Sequence, residues 1–315
     1  MDNIEEATEC ALIASAFSLS VLRISIYTIY RKEMLYVINT MRDDWLHSSY
    51  EDRLIIKDKT IFAYRLSKYF VSGVAMTICD QLRTQALYFN AMLPFRGYFF
   101  INHTVSPVFE CLYALNVSAG GIGGSTIAAA TSFNFVVITH GSAKFALLRR
   151  NFYLLHNLPI IEIKLLEVIV LYRQKYSSRF AVTLERVISF LALGQFVIST
   201  GLLCFAGFQI TAMMKDKGRL MKYVAFLNCA IFELFMFSFS GGGLIDESEA
   251  VGESAYSSGW IGTRLPRSLQ IMMMRSRIPS KITAAKFYNL SLESFATVLS
   301  TSFSYFTVLT AMNDD

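Results

Sequence analysis

Four histidines, His47, His103, His140 and His156, are the first residues to test for acid–base or metal chemistry. They are scattered, and none adjoins a carboxylate cluster, a serine elbow or a second histidine at ligand spacing, so no catalytic or zinc arrangement is indicated. The five cysteines, Cys10, Cys79, Cys111, Cys204 and Cys229, show no short paired spacing and point to neither a metal site nor a disulfide framework. The small-residue stretch Ser118–Ser125 has the glycine content of a phosphate cradle, but it is charge-free and no lysine follows it. Close helix packing explains it better, with Gly120 and Gly124 on one face letting backbones approach. An enzyme, a cofactor and a nucleic-acid partner are therefore not expected. Two features carry more. Glu233 is an ionisable group inside an apolar run, which either faces a cavity or partner or makes an interhelical hydrogen bond. Near the C-terminus Thr297, Thr301, Ser304 and Val308 fall three or four residues apart and share one helical face. Such hydroxyls either bond backbone carbonyls within a bundle or wet a path along the helix.

The elements that must position these residues are membrane helices. Hydrophobic residues make up 54% of the 315 residues and charged residues 17%, with a mean hydropathy of +0.42, whereas a soluble domain carries roughly 25% charged residues. A spanning helix needs about 20 mainly apolar residues. Cys111 to Ala143, Val187 to Met214 and Ser294 to Met312 contain no Asp, Glu, Lys or Arg at all. Tyr223 to Ile245 holds only Glu233, and Cys10 to Ile29 only Arg23. A sixth span, about Ile61 to Tyr88, is interrupted near its ends by Arg65, Lys68, Asp80 and Arg83. Of the 29 lysines and arginines, 22 fall on one side of these spans, between Arg31 and Lys68, Lys144 and Arg186, and Arg264 and Lys286. That side is expected to be cytoplasmic. Six spans then place both termini outside, yet the chain starts Met1-Asp2-Asn3-Ile4-Glu5-Glu6, acidic and unlike a secretory signal. One more span upstream of Met1 repairs the count, giving seven helices with a cytoplasmic N-terminus and an extracellular C-terminus. The cytoplasmic stretches Arg31 to Lys59, Lys144 to Arg186 and Asp246 to Lys281 are too long for plain connectors and are expected to be helical.

The last third of the chain is the most specific. It reads Gly243-Leu244-Ile245-Asp246-Glu247-Ser248-Glu249, Ala255-Tyr256-Ser257-Ser258-Gly259-Trp260, Ala285-Lys286-Phe287-Tyr288-Asn289-Leu290-Ser291-Leu292-Glu293-Ser294-Phe295 and Ser302-Phe303-Ser304-Tyr305-Phe306-Thr307-Val308-Leu309. These motifs strongly resemble the insect odorant receptor family. A weaker likeness runs upstream through Leu93-Pro94, Ser106-Pro107 and Gly207-Phe208-Gln209.

The resemblance implies an all-α membrane protein with the inverted seven-helix odorant receptor fold, six spans present and the family's first helix missing. It divides as residues 1–245, a transmembrane bundle with an outer-half ligand pocket, and residues 246–315, a cytoplasmic anchor helix followed by the pore helix. It also implies a subunit that binds a volatile odorant and gates a non-selective cation pore, as a tetramer with a common co-receptor. The expected setting is the plasma membrane of olfactory sensory neurons, in contact with membrane lipid.

On this resemblance Thr297, Thr301 and Ser304 line the pore, with Val308 and Met312 as apolar gate residues. The pocket, which should be aromatic and aliphatic with few polar anchors, draws on Phe17, Met76, Cys79, Phe109, Tyr113, Val117 and Phe226. Tyr256 and Trp260 fall at the assembly surface, although Trp260 equally suits an interfacial membrane anchor. Asn102-His103-Thr104 is a glycosylation acceptor in a loop read as extracellular. A gustatory-type or self-sufficient homotetrameric channel is the nearest alternative. A G-protein-coupled receptor conflicts with the reversed orientation and the absence of Asp-Arg-Tyr and Asn-Pro-x-x-Tyr signatures, and a transporter should show a repeat between its halves.

Overall fold

Length decides the architecture. The computed structural model describes residues 2–87, 107–155, 160–213, 217–257 and 266–314. In these segments the chain forms helices α1 (Asp2–Ile29), α2 (Arg31–His47), α3 (Tyr50–Leu87), α4 (Val108–Leu155), α5 (Ile160–Ala212), α6 (Lys217–Tyr256), α7 (Pro266–Ser276) and α8 (Leu292–Asp314), with a small antiparallel hairpin, β1 (Thr283–Ala284) and β2 (Tyr288–Asn289), ahead of α8. The 48 residues of α4 and 53 of α5 make rods of about 70 to 80 Å at 1.5 Å per residue, more than twice the roughly 30 Å hydrocarbon core. One helix thus crosses the apolar layer and carries on as the charged segment beyond it. That is how the long basic stretches become helical. The charged motif beginning at Asp246 lies inside α6, which runs unbroken across the 245/246 position.

Among the described residues four stretches are long and apolar enough to cross a membrane: Ala7–Ile29, Val108–Phe152, Val168–Ala212 and Leu220–Tyr256. The helices expected over Ile61 to Tyr88 and Ser294 to Met312 form as parts of α3 and α8. Of the two, α3 is the more polar, carrying Arg65, Lys68, Asp80 and Arg83, whereas the run Ser294 to Met312 in α8 holds hydroxyls and no charge.

Helix α5 is the central element, packed by α1, α2, α4, α6, α7, α8 and β1. Phe180, Leu184, Ile188 and Leu191 on α5, with Ile138 and Phe152 on α4 and Phe237 and Leu244 on α6, form the main core. A second cluster joins α3, α4 and α6 through Ala63, Phe70, Val74, Ala128, Phe135 and Met236. Lipid tails are as apolar as leucine, so helix association in a bilayer depends on close packing more than on expulsion of water. The small residues of α4 act accordingly: a Cβ at Gly124 would collide with Ile78 of α3, and one at Gly123 would press on Phe17 of α1. The same device brings α6 against the hairpin, because a Cβ at Gly241 would overlap Leu290, its backbone included.

The hairpin is an addition to the expected all-helical chain. Its turn holds two non-glycine residues at positive φ, Ala285 at 46° and Lys286 at 68°. Anchors to α5 hold that conformation: the Ala285 amide donates to the Ser189 hydroxyl (3.0 Å) and carbonyl (3.2 Å), and the Thr283 hydroxyl donates to Glu185 (3.1 Å). The motif Ala285–Leu290 is therefore a bracket that aims α8 along α5 and α6.

Candidate functional site

Helix α8 is packed on one side only. Phe295, Val298, Leu299 and Phe306 are partly buried, and Ser302 is buried; a Cβ at Gly207 of α5 would lie 3.2 Å from the Phe306 ring. The opposite face is open. Thr297, Thr301 and Ser304 are exposed, and Val308 is 57% exposed. Met312 belongs to the last turn of the same helix. Each of the three hydroxyls donates to the carbonyl one turn back, Thr297 to Glu293 (3.0 Å), Thr301 to Thr297 (2.8 Å) and Ser304 to Ser300 (3.0 Å). The backbone-bonding reading of these hydroxyls is thus realised, yet it does not exhaust them. An O–H that donates inward leaves its oxygen lone pairs to face outward.

The outer-half residues are only partly drawn together. Phe109, Tyr113 and Val117 follow one another at one-turn intervals on α4 and are half-buried, with the Phe109 and Tyr113 rings 6.1 Å apart. Phe17 reaches α4 at Gly123. Phe226 packs with Leu12, Leu202 and Ala206 from α1 and α5. Met76, at 73% exposure, and Cys79 face outward from α3 and stand apart from this group in the single chain. At the far end of the molecule Tyr256 is 70% exposed at the close of α6. Asn102 and Trp260 lie outside the described residues.

Sequence reading singled out Glu233 and Arg23 as lone charges in their spans without pairing them. They are partners, forming a salt bridge with the Arg23 side chain fully buried and that of Glu233 nearly so. Arg23 also donates to Gln195 on α5, to Thr131 (3.1 Å) and to the Ile127 carbonyl (3.1 Å) on α4. Thr131 in turn donates to Glu233 (2.8 Å), and Gln195 donates to Ser199 (2.9 Å). Four helices are tied at one level. The signal available was the rarity itself: two opposite charges, each alone in an apolar run, satisfy each other more cheaply than either satisfies itself.

A second polar layer lies where the long helices turn charged. Asp44 of α2 accepts from Lys144 of α4 and meets His140 Nε2 at 2.9 Å. Burial alone would raise the Asp44 carboxyl, but the hydrogen bond from His140 and the charge of Lys144 outweigh it and hold the group below its ordinary value. Lys144 is also sandwiched on the Tyr176 and Phe180 rings, 5.1 and 5.3 Å away. Asp52 accepts from Arg173 (2.8 Å) and Arg150 (3.3 Å), so the ends of α3, α4 and α5 are laced together. These side chains come from the basic stretches assigned to one side by sequence, and they do gather at one end of the bundle. Among the described residues no cluster of His, Cys, Asp and Glu stands ready to hold a metal.

Long apolar helices, buried polar cross-links and a charged layer at one end define a multi-pass membrane protein. The sequence profile of the 7tm odorant receptor family matches residues 3–303, and the chain belongs to that family. Among its relatives is odorant receptor 13a of Drosophila melanogaster, 33% identical over 43% of this chain and 36% of its own length. The odorant receptor coreceptor of the same fly is 30% identical over 44% of this chain and 29% of its own length. These alignments thus cover about a third of the relatives' length. The structure of the insect olfactory receptor OR5 from Machilis hrabei in complex with eugenol superposes with a TM-score of 0.87 at 14% identity, over 98% of this chain and 82% of that one, so the fold is shared.

Proposed function

We propose that this chain is an odorant-binding subunit of a ligand-gated, non-selective cation channel that assembles as a tetramer with a common co-receptor. The observation that carries this reading is the open face of α8. The charge-free run Ser294 to Met312 of α8 packs Phe295 and Phe306 against its own chain and turns Thr297, Thr301 and Ser304 outward, so its polar stripe lies on the side its own chain leaves uncovered. Hydroxyls facing lipid gain nothing, whereas four such helices around one axis give a wettable path, with Val308 and Met312 as an apolar constriction. The pocket of this reading lies at the opposite end from the charged layer, around Phe17, Phe109, Tyr113, Val117 and Phe226, and the outward-facing Met76 and Cys79 of α3 are not part of it. The exposed Tyr256 at the close of α6 belongs to the assembly surface in this reading. The excess of Lys and Arg at the charged end makes that end cytoplasmic and the C-terminus extracellular, in the plasma membrane of olfactory sensory neurons.

The test is expression with and without co-receptor, recording current over a panel of volatiles. Odour-evoked cation current only on co-expression is the expected result. Current from this chain alone sinks the dependence on a co-receptor, and normal surface delivery of both subunits without current to any volatile sinks the channel reading. A C-terminal tag inaccessible on intact cells overturns the orientation.

A further inference from the structure

A cleft of about 970 Å³ opens between α3, α4 and α6 where the apolar parts of these helices give way to the charged layer. Its two ends differ in chemistry. At the apolar end Phe62 and Phe239 stand with rings 5.7 Å apart, both exposed, and Phe239 lies in the apolar run of α6. At the other end Lys59 and Arg149 share one carboxylate, Lys59 Nζ 2.8 Å from Glu247 Oε1 and Arg149 Nη1 3.3 Å from Oε2. Arg150 also lines the cleft but is committed to Asp52 and Glu51. Asp58 completes the rim, exposed and, among the described residues, without an ion pair. Between the two ends the Ser142 and Ser240 hydroxyls donate to their own helices and keep oxygen lone pairs for the cleft.

We propose that this cleft binds a membrane phospholipid whose headgroup carries a primary ammonium, phosphatidylethanolamine being the simplest. The charges decide the class. With Arg150 neutralised by its own partners, the rim holds two cations and two carboxylates, so it has no surplus for a purely anionic ligand. A headgroup bearing both signs matches it: the phosphate takes Lys59 and Arg149, which together have only Glu247, and the ammonium takes Asp58. Choline offers no N–H to that carboxylate, and phosphatidic acid offers no cation. The acyl chain follows the Phe62–Phe239 wall into the bilayer, which a water-soluble ligand does not need. The site requires only that the charged layer lie at a membrane surface, whichever surface that is, and is independent of the channel reading.

The experiment uses the purified full chain in detergent micelles, titrated with dioctanoyl phosphatidylethanolamine, dioctanoyl phosphatidylcholine, dioctanoyl phosphatidic acid and glycerophosphoethanolamine, following the thermal unfolding midpoint. The ethanolamine lipid should raise the midpoint saturably, with a half-saturation roughly fivefold lower than the choline lipid or phosphatidic acid, the upper worth of one partly exposed charged contact. Asp58→Asn should erase that preference without moving the lipid-free midpoint, because Asp58 holds no ion pair. The triple variant Lys59→Gln, Arg149→Gln, Glu247→Gln removes the shared cluster without stranding a charge and should abolish the response to all three lipids. If the triple variant does not fold, Asp58→Asn still decides. Equal half-saturation for the ethanolamine and choline lipids, as a cleft covered by another subunit would give, overturns the proposal. So does an Asp58→Asn protein that keeps the preference. A midpoint shift of the same size from glycerophosphoethanolamine overturns the lipid assignment.

Discussion

At the scale of single residues, the buried pair Arg23–Glu233 sets the strongest expectation. Breaking a buried ion pair from one side leaves an uncompensated charge and costs about 3 to 5 kcal/mol, whereas replacing both members with apolar side chains is close to neutral. Arg23→Met or Glu233→Leu alone should therefore abolish surface delivery, and the double variant should restore most of it, read by surface labelling and by the melting midpoint in detergent. Equal loss in the double variant would show that Gln195 and Thr131 also need the charges. Asp44 gives a pH-dependent case. Its folded pKa is depressed, so the unfolded carboxyl binds protons more readily; its stabilising contribution is fully present above the unfolded value, near 3.8, and is lost as pH falls through the folded value. The midpoint difference between wild type and Asp44→Asn should be constant from neutral pH down to about pH 5 and shrink only in stronger acid. A difference that already vanishes near pH 6 would mean that the Asp44 carboxylate does not hold the cluster together. Neither partnership was readable beforehand, for one physical reason: periodicity reports which face a charge occupies, and says nothing of which of several helices that face meets. Arg23 and Glu233 are 210 positions apart.

At the scale of elements, much was legible. Two charge-free runs and two runs with a single charge mark the four stretches that the described residues confirm as apolar enough to span, and the mixed-charge stretches beyond them read as helical on length alone. The continuity of those pieces escaped the reading. A span and its cytoplasmic extension differ in composition, but the backbone hydrogen-bond ladder of α4, α5 or α6 takes no notice of the polarity outside it, so a compositional boundary is no helix boundary. The hairpin before α8 was invisible for the opposite reason. Its turn residues Ala285 and Lys286 sit at positive φ without being glycine or asparagine, and they are held there by Ser189 and Glu185 on a distant part of α5. Gly241 is the partner of that hairpin. Gly241→Ala would drive a methyl group into the Leu290 backbone, which has no rotamer by which to yield. We expect a loss of about 1 to 3 kcal/mol from overpacking and a displaced α8, seen as a lower melting midpoint together with altered gating in the protein that reaches the surface. Gly121→Ala, where a Cβ meets nothing within 4 Å, is the matched control and should change neither. A Gly241→Ala protein indistinguishable from that control would mean that the hairpin yields to α6.

At the scale of the whole molecule, the fold explains why one helix is finished on one side only. The buried charges of α1 and α6 find each other within the chain, whereas α8 contacts α5 and α6 through Phe306 and Phe295 and leaves the hydroxyl stripe and Val308 outward. If that open face meets its symmetry mates around an axis, the hydroxyls keep the path wet and the ring of Val308 closes it by expelling water. The closed state then depends on an apolar surface that a single substitution can spoil. Replacing a valine side chain by serine removes about 1.5 kcal/mol of apolar preference per copy, which lowers the closed-to-open ratio roughly tenfold for each subunit that carries it. Val308→Ser should therefore raise resting current in the absence of odorant while leaving the ion preference unaltered, and Val308→Ile should leave resting current at the wild-type level. Thr301→Val, which dries the path one to two turns before the ring, should act in the opposite direction and lower evoked current. The measurement is whole-cell current at rest and at saturating ligand, normalised to surface-labelled protein. A Val308→Ser channel with wild-type leak at normal surface density would remove Val308 from the gate, and a Thr301→Val channel with undiminished evoked current would place the conducting path on another face of α8.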